Sequence, residues 1–295
     1  MDIRSLGYRT DLMVRHLAGA SVSDRGRYIV VRTPDNPWFH WGNFLLWADP
    51  PDQTSIGAWI SAFGEEFPDA THVTFGIDGT EPPEGHDRSF PLALETELSV
   101  VMTSERPPDD RPVAGGVAVR PLRSADDWRQ YLLLRREEEG RDRPVPPGHA
   151  QFLQRSTEEA RRLVETGRAG YLGAFVDHRL RSAAGIVSDG AGVARFQNVG
   201  THPAHRRRGL ASALLARAGA FGFSDLGADR LVIVADQDGP AVGLYRSLGF
   251  VPVEVQWGLS APTGPGSARS HPDMRSRTTS GLRKTEPLGP WTTGS

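Results

Sequence analysis

The segment that most constrains this chain is VARFQNVGTHPAHRRRGLASALLARAGAFGF, residues 193–223. A strand passes through His202-Pro203 into a tight turn, and an Ala-rich apolar helix begins after Gly209. The first turn of such a helix presents unpaired backbone N–H groups and the positive end of its dipole. Glycine lets an anion come close to the backbone, and Arg206, Arg207 and Arg208 add charge around it. Together these features describe an anion cradle. Which anion it takes is the functional question.

Global charge argues against a nucleic acid. The formal net charge is −2, so no overall positive field draws the chain onto a polyanion. Lys284 is the only lysine, and nearly all positive charge is arginine. With abundant Ala, Gly and Pro this suggests a GC-rich bacterial genome. There is no cysteine, which excludes disulfides, Cys-ligated metals and thiol nucleophiles. The start, MDIRSLGYRTDLMVRHLAGA, lacks a signal-peptide core. No segment reaches the ~20 apolar residues of a membrane span. The expectation is a soluble, cytoplasmic protein.

Periodicity divides the chain. Residues 1–21 form an extension. Strand-like runs at 27–33, 44–48, 72–77 and 97–103 surround a helical pattern in which Ile56, Trp59, Ile60, Phe63 and Phe67 share one face. These give a small α+β module over 22–106. ERPPDDRPVAGG at 105–116 contains a linker, 107–116. A second unit over 117–259 orders its elements strand, two helices, three strands, the helix after Gly209, a buried strand at 230–236, a short helix and a last strand. Residues 260–295 read as a disordered tail.

Arg206-x-x-Gly209-x-Ala211 resembles the Arg/Gln-x-x-Gly-x-Gly/Ala signature of the GNAT acetyltransferase superfamily. Further on, DGPAVGLYRSLGFV is similar to that family's later motif, Asn-x-x-Ala-x-x-Leu-Tyr-x-x-x-Gly-Phe. The order of elements over 117–259 fits as well. The resemblance implies an α+β fold with a mixed, mostly antiparallel sheet flanked by helices, and the N-terminal module looks like a degenerate copy. It implies that acetyl-CoA is the co-substrate and that no metal is needed. Val199 and Thr201 would offer backbone groups to the pantetheine arm. Backbone N–H groups of Arg206, Arg207, Arg208, Gly209, Leu210 and Ala211 would hold the pyrophosphate. Tyr245 falls on the tyrosine that protonates the departing thiolate, a task suited to a phenol of pKa ~10.

Two departures stand out. Asp238 occupies the asparagine position, where it is either a cofactor contact or a helix N-cap. Many relatives carry a glutamate near the end of the motif strand as general base, whereas this strand has Gly200; Asp236, Glu254 or a water chain are the substitutes in view. The expected activity is acetyl transfer to a small-molecule or peptide amine by direct attack in a ternary complex. The alternative is a catalytically silent acyl-CoA-binding or protein-interaction module. His202 and His205 lack a third ligand and belong to a loop; Gly190-Ala191-Gly192 precedes a strand and is a hairpin turn. REEEGRDR at 136–143 reads as a charged helix end. The aromatic run NPWFHWGNFLLWADPP reads as core and domain interface, with a substrate wall as the sharper option. Oligomeric state, a homodimer included, is open.

Overall fold

Two long strands, β5 (Glu95–Ser104) and β11 (Val251–Pro262), pair antiparallel at the centre of one sheet, from Thr103 opposite Val251 to Glu95 opposite Ser260. The computed structural model describes residues 1–52, 54–82, 89–138 and 147–262. The tail expected from 260 lies, from residue 263 onward, outside the described residues, as does most of the REEEGRDR run. Beyond β11 come β4 (His72–Ile77), β3 (Phe44–Trp47), β2 (Tyr28–Arg32) and β1 (Ser21–Asp24). Beyond β5 come β10 (Arg230–Asp236), β9 (Val193–Thr201), β8 (Arg179–Ser188), β7 (Ala169–Val176) and β6 (Val117–Pro121).

The order outward is the same on both sides. Each side has one parallel pair, β3 with β4 and β9 with β10, and the rest of the sheet is antiparallel. Each parallel pair is joined by a crossover helix, α2 (Ile56–Glu66) or α5 (Leu210–Ser224). The segment before residue 107 therefore repeats the strand–helix–strand order of the segment after 116. Each segment also lends a strand to the other: β11 lies between β4 and β5, and β5 between β11 and β10.

Alternate residues of β7 and β8 divide between two cores, as the period of a strand requires. Leu172, Ala174, Ala184 and Ile186 join Leu214 and Leu215 of α5. Tyr171, Ala183 and Val187 join α3 (Ala125–Glu138), α4 (His149–Glu165) and α1 (Leu6–Leu17). The N-cap signal at Ser124 closes as a reciprocal box. Asp127 N–H donates to Ser124 Oγ at 3.1 Å and Ser124 N–H to Asp127 Oδ2 at 3.0 Å.

The aromatic run divides its work between core and contact. Trp47 and Trp59 stack at 4.4 Å inside the first segment's core. Trp38 lies over Gly148 at the start of α4, where any Cβ would collide with its ring. Phe39 meets Phe152 at 5.2 Å, so the run also ties β3's approach to α4.

α1 has no counterpart in the sequence reading, which left residues 1–21 as an extension. Its buried positions include Gly7 and Thr10, so the apolar stripe is broken. Two distant carboxylates hold its first turn. Asp78 accepts from the N–H groups of Arg4 and Ser5. Glu254, on β11, accepts from Ser5 Oγ at 2.7 Å, Leu6 N–H at 3.0 Å and Gly7 N–H at 2.7 Å. Anions at a helix N-terminus satisfy its orphan donors and its dipole. Replacing Glu254 by alanine should lower unfolding free energy by about 2–4 kcal/mol, the scale of bonds to a charged acceptor. Urea denaturation of the two proteins measures the difference.

Candidate active site

β9 and β10 part company early. Their parallel ladder covers only Val193–Arg195 against Arg230–Val232, although β9 continues to Thr201 and β10 to Asp236. On its other side β9 stays paired with β8, with a register shift between Ala183 and Gly185. The extra residue of this bulge includes Asn198, whose φ of 49° is left-handed. The edge of β9 facing β10, around Val199 and Thr201, is thus released from the sheet and opens a gap. Thr201 Oγ1 is held by Ser182 Oγ at 2.8 Å, and Val199 packs on the α5 core.

The gap leads to the N-terminus of α5. Gly209 is its N-cap, with φ +76°, and no side chain caps the helix. A Cβ at Gly209 would meet nothing within 4 Å, so the space in front of this helix end is open. The ladder of α5 starts with Ala213 N–H on Gly209 O at 3.1 Å, which leaves the N–H groups of Leu210, Ala211 and Ser212 pointing out of the helix end. Arg206, Arg207 and Arg208 are exposed around it, and Arg207 also has a positive φ of 59°. Arg206 Nε donates to Thr201 O at 3.3 Å, tying the loop back to β9. Leu210 itself is core, and Ala211 is half-buried.

Tyr245 sits on α6 (Ala241–Ser247), 5% exposed, in the same apolar cluster as Leu210 and Val199. Burial pushes its phenol up to about 12. Asp238 is exposed and does not cap α6; the N-cap is Pro240, with no side-chain bond. Asp238 N–H instead donates to Asp236 Oδ1 at 3.1 Å, so Asp236 serves the turn. Glu254 is committed to α1. Neither substitute base is therefore free for the role in which the sequence placed it.

A different carboxylate occupies the position. A Cβ built on Gly200 would collide with the carboxylate of Glu138, at the C-terminal end of α3. Beside it, Glu137 Oε2 lies 3.5 Å from His202 Nε2. Glu138 stands in the acidic run that sequence reading took as a charged helix end, and only the fold shows which strand it covers.

A cavity of about 230 Å³ joins the gap from the α1–α3–α4 side. Asn198 of the bulge and Val234 of β10 line its inner end; Phe39, Trp41 and Gln256 belong to its far wall. Asn198 Nδ2 donates to Tyr171 OH at 3.4 Å. Three charged side chains in this wall are nearly sequestered from solvent: Arg135 at 7%, Arg195 at 6% and Glu159 at 5% exposure. Burial raises the Glu159 carboxyl above its ordinary value, opposed first by Arg15. Among the described residues no cluster of three or more His, Asp and Glu is placed to hold a metal, and no helix is long and apolar enough to cross a membrane.

The equivalent crossing in the first segment is closed. β3 and β4 pair through Trp47 and Ile77, and Asp78 N–H continues the ladder onto Trp47 O at 2.7 Å. Asp52 stands before α2 and accepts from Thr54 N–H at 2.9 Å and Ser55 N–H at 2.7 Å. Bonds from the Thr54 and Ser55 side chains and backbone hold its carboxyl down at about 2. Asp52 thus orders the turn ahead of α2, and the closed ladder leaves no gap like that between β9 and β10.

Residues 127–250 match the model of the acetyltransferase (GNAT) family. No curated protein matches the chain. Among solved structures, a functionally unknown conserved protein from Staphylococcus epidermidis ATCC 12228 aligns with a TM-score of 0.65 at 13% identity, covering 83% of this chain and 95% of that one. A GCN5-related N-acetyltransferase from Kribbella flavida aligns at 0.58 and 16% identity, over 88% and 97% of the two chains. A tandem GNAT protein from the clavulanic acid biosynthesis pathway aligns at 0.50 and 14% identity, over 86% and 89%. At these identities the likeness is one of fold, and it extends over both segments. The family match alone identifies residues 127–250 as a GNAT-family acetyltransferase domain.

Proposed function

We propose that the chain transfers an acetyl group from acetyl-CoA to an amine, by direct attack in a ternary complex. One observation carries this reading: a helix N-terminus open to an anion, an unpaired strand edge and a cavity all meet along β9. Acetyl-CoA supplies an activated thioester and a thiolate leaving group. The residues fit it. The free N–H groups of α5 and the three arginines suit a pyrophosphate, and the edge at Val199 and Thr201 suits an amide-bearing arm. Asp238, exposed and bonded only through its N–H, has no part in this scheme.

The acceptor enters through the cavity on the opposite side of the gap from α5. An alkylamine of pKa ~10.4 is a cation at neutral pH and must lose a proton before it attacks. Glu138, lying over Gly200, is the carboxylate placed to take that proton, in the role that a strand glutamate fills elsewhere in the family. Tyr245 then protonates the thiolate. Its burial keeps the phenol neutral, and a neutral phenol is the form that can donate.

Calorimetry should show micromolar acetyl-CoA binding to the wild type. Gly209→Glu, which puts a carboxylate at the cradle, should weaken it by at least ~30-fold, or about 2 kcal/mol, with circular dichroism confirming an intact fold. No binding by the wild type would refute the reading. Tyr245→Phe should keep that affinity and lower kcat by about 10²–10³-fold, the scale of general acid catalysis; unchanged turnover would remove Tyr245 from the mechanism. The same variant should remove one step near pH 12 from the tyrosinate absorbance titration. The raised phenol also favours the folded state below the ordinary tyrosine pKa of ~10, and this contribution is lost as pH rises toward the folded value.

A further inference from the structure

The wall of the acceptor cavity carries Arg15, Arg135 and Arg195 and, against them, Asp11, Glu97 and Glu159. These charges cancel in number, but not all of them in space. Arg195 is engaged: Nη2 meets Asp11 Oδ1 at 2.9 Å and Nη1 donates to Thr10 Oγ1 at 2.6 Å. Glu97 accepts from Ser260 Oγ. Arg135 and Glu159 differ. Both are more than nine-tenths buried; Arg135 Nη1 and Glu159 Oε1 are buried without a partner, although Arg15 and the Asn36 side chain already support the Glu159 carboxylate. The Arg135 guanidinium rests only near aromatic faces, 5.6 Å from the Phe152 ring centre and 5.9 Å from that of Tyr131. Arg195 Nε is likewise unfilled.

Buried charged groups without partners are expensive, and native structures seldom keep them without a use. Here the unused donors and the unused acceptor line one small cavity. An occupant that satisfies both presents an acceptor to Arg135 and a donor, such as its own amine, to Glu159 Oε1. A cavity of about 230 Å³ is also below the ~300–1,000 Å³ typical of sites for drug-sized ligands.

We infer that the acceptor is a small zwitterionic amine, an amino acid or a close analogue, whose carboxylate is bound by Arg135. The inference rests on the acetyl-transfer reading and names its substrate class. A guanidinium can donate two parallel hydrogen bonds to a carboxylate, which fixes the molecule's orientation as well as its affinity. With the carboxylate at α3, the amine is free to point along the cavity to Asn198 and the gap. Glu159, on α4 in the same lining, takes a further donor on the acceptor or its ammonium before proton loss. The reaction balances: the ammonium first loses one proton, which passes through Glu138 to solvent; the amine nitrogen then bonds the acetyl carbon as the C–S bond breaks, a second proton leaves the nitrogen and one proton joins the thiolate.

The test compares matched acceptors on the full chain with acetyl-CoA, reading CoA release: free L-amino acids, their methyl esters, and plain alkylamines. Free amino acids should be used with kcat/KM at least ~100-fold above their esters, in line with a charge-assisted bidentate contact. Arg135→Gln should raise KM for the acids by at least ~30-fold and leave the acetyl-CoA Kd unchanged. Should that variant unfold, Arg135→Lys, which keeps the charge without the fork, should show a smaller rise of the same kind. Esters or alkylamines used as well as the acids would overturn the inference while leaving acetyl transfer intact. Neither turnover nor calorimetric binding of free amino acids at millimolar concentration would overturn it too. Amino-acid binding that is lost in Arg135→Gln, in a protein that fails to bind acetyl-CoA, would uphold the cavity assignment and sink the transferase reading alone.

Discussion

The pairing of β5 with β11 is the interaction on which the rest of the molecule depends. Each of these strands comes from one half of the sequence and is sandwiched between two strands of the other half. Removing β11 from its place would leave β4 and β5 with facing unpaired edges, a costly state for buried backbone. The same strand delivers Glu254 to the start of α1 and Gln256 to the cavity wall. The cavity is therefore a product of the exchange: β9, α3 and α4 line it together with α1 and the aromatic run. Neither segment could enclose it alone.

Two crossings of the same topology end differently. At both, a parallel strand pair is linked by a helix whose N-terminus would welcome an anion. In the first segment Asp52 is spent on the turn ahead of α2, and the strands close up through Trp47. In the second, Gly209 and the arginines leave the helix end open, and the bulge at Asn198 turns the end of β9 out of the ladder. What differs between the two crossings is thus local: a ladder carried through Trp47 and Ile77 in one, a glycine and a bulge in the other.

This explains what the sequence could and could not disclose. Strands such as 230–236 and the helix after Gly209 are written in short-range periodicity, which needs no tertiary context to read. The cradle is equally local, since Arg206, Gly209 and Ala211 fall within one loop and one turn. α1 is not local. Its stripe is interrupted by Gly7 and Thr10, and its first turn is held by Asp78 and Glu254, far along the chain. The carboxylate over Gly200 was hidden for the same reason. Glu138 is one acid in the run Glu137–Glu138–Glu139, and nothing in that run says which one crosses onto β9. Asp236 and Glu254, closer in sequence to the motif, are spent on a turn and a helix cap.

The buried charges of the cavity follow a related logic. Replacing a buried ion pair with packed apolar groups is frequently neutral or stabilising, so fold stability gives no reason to keep Arg135 and Glu159 where they are. Both could be shortened or made apolar while α3 and α4 still covered β7 and β8 through Tyr131, Leu134 and Leu163. An Arg135 donor left unfilled in this small space makes sense when a ligand completes it. The aromatic faces of Tyr131 and Phe152 hold the guanidinium without using up its N–H groups. An arginine supported by rings is positioned and yet still available, which is the state a binding residue needs before its ligand arrives.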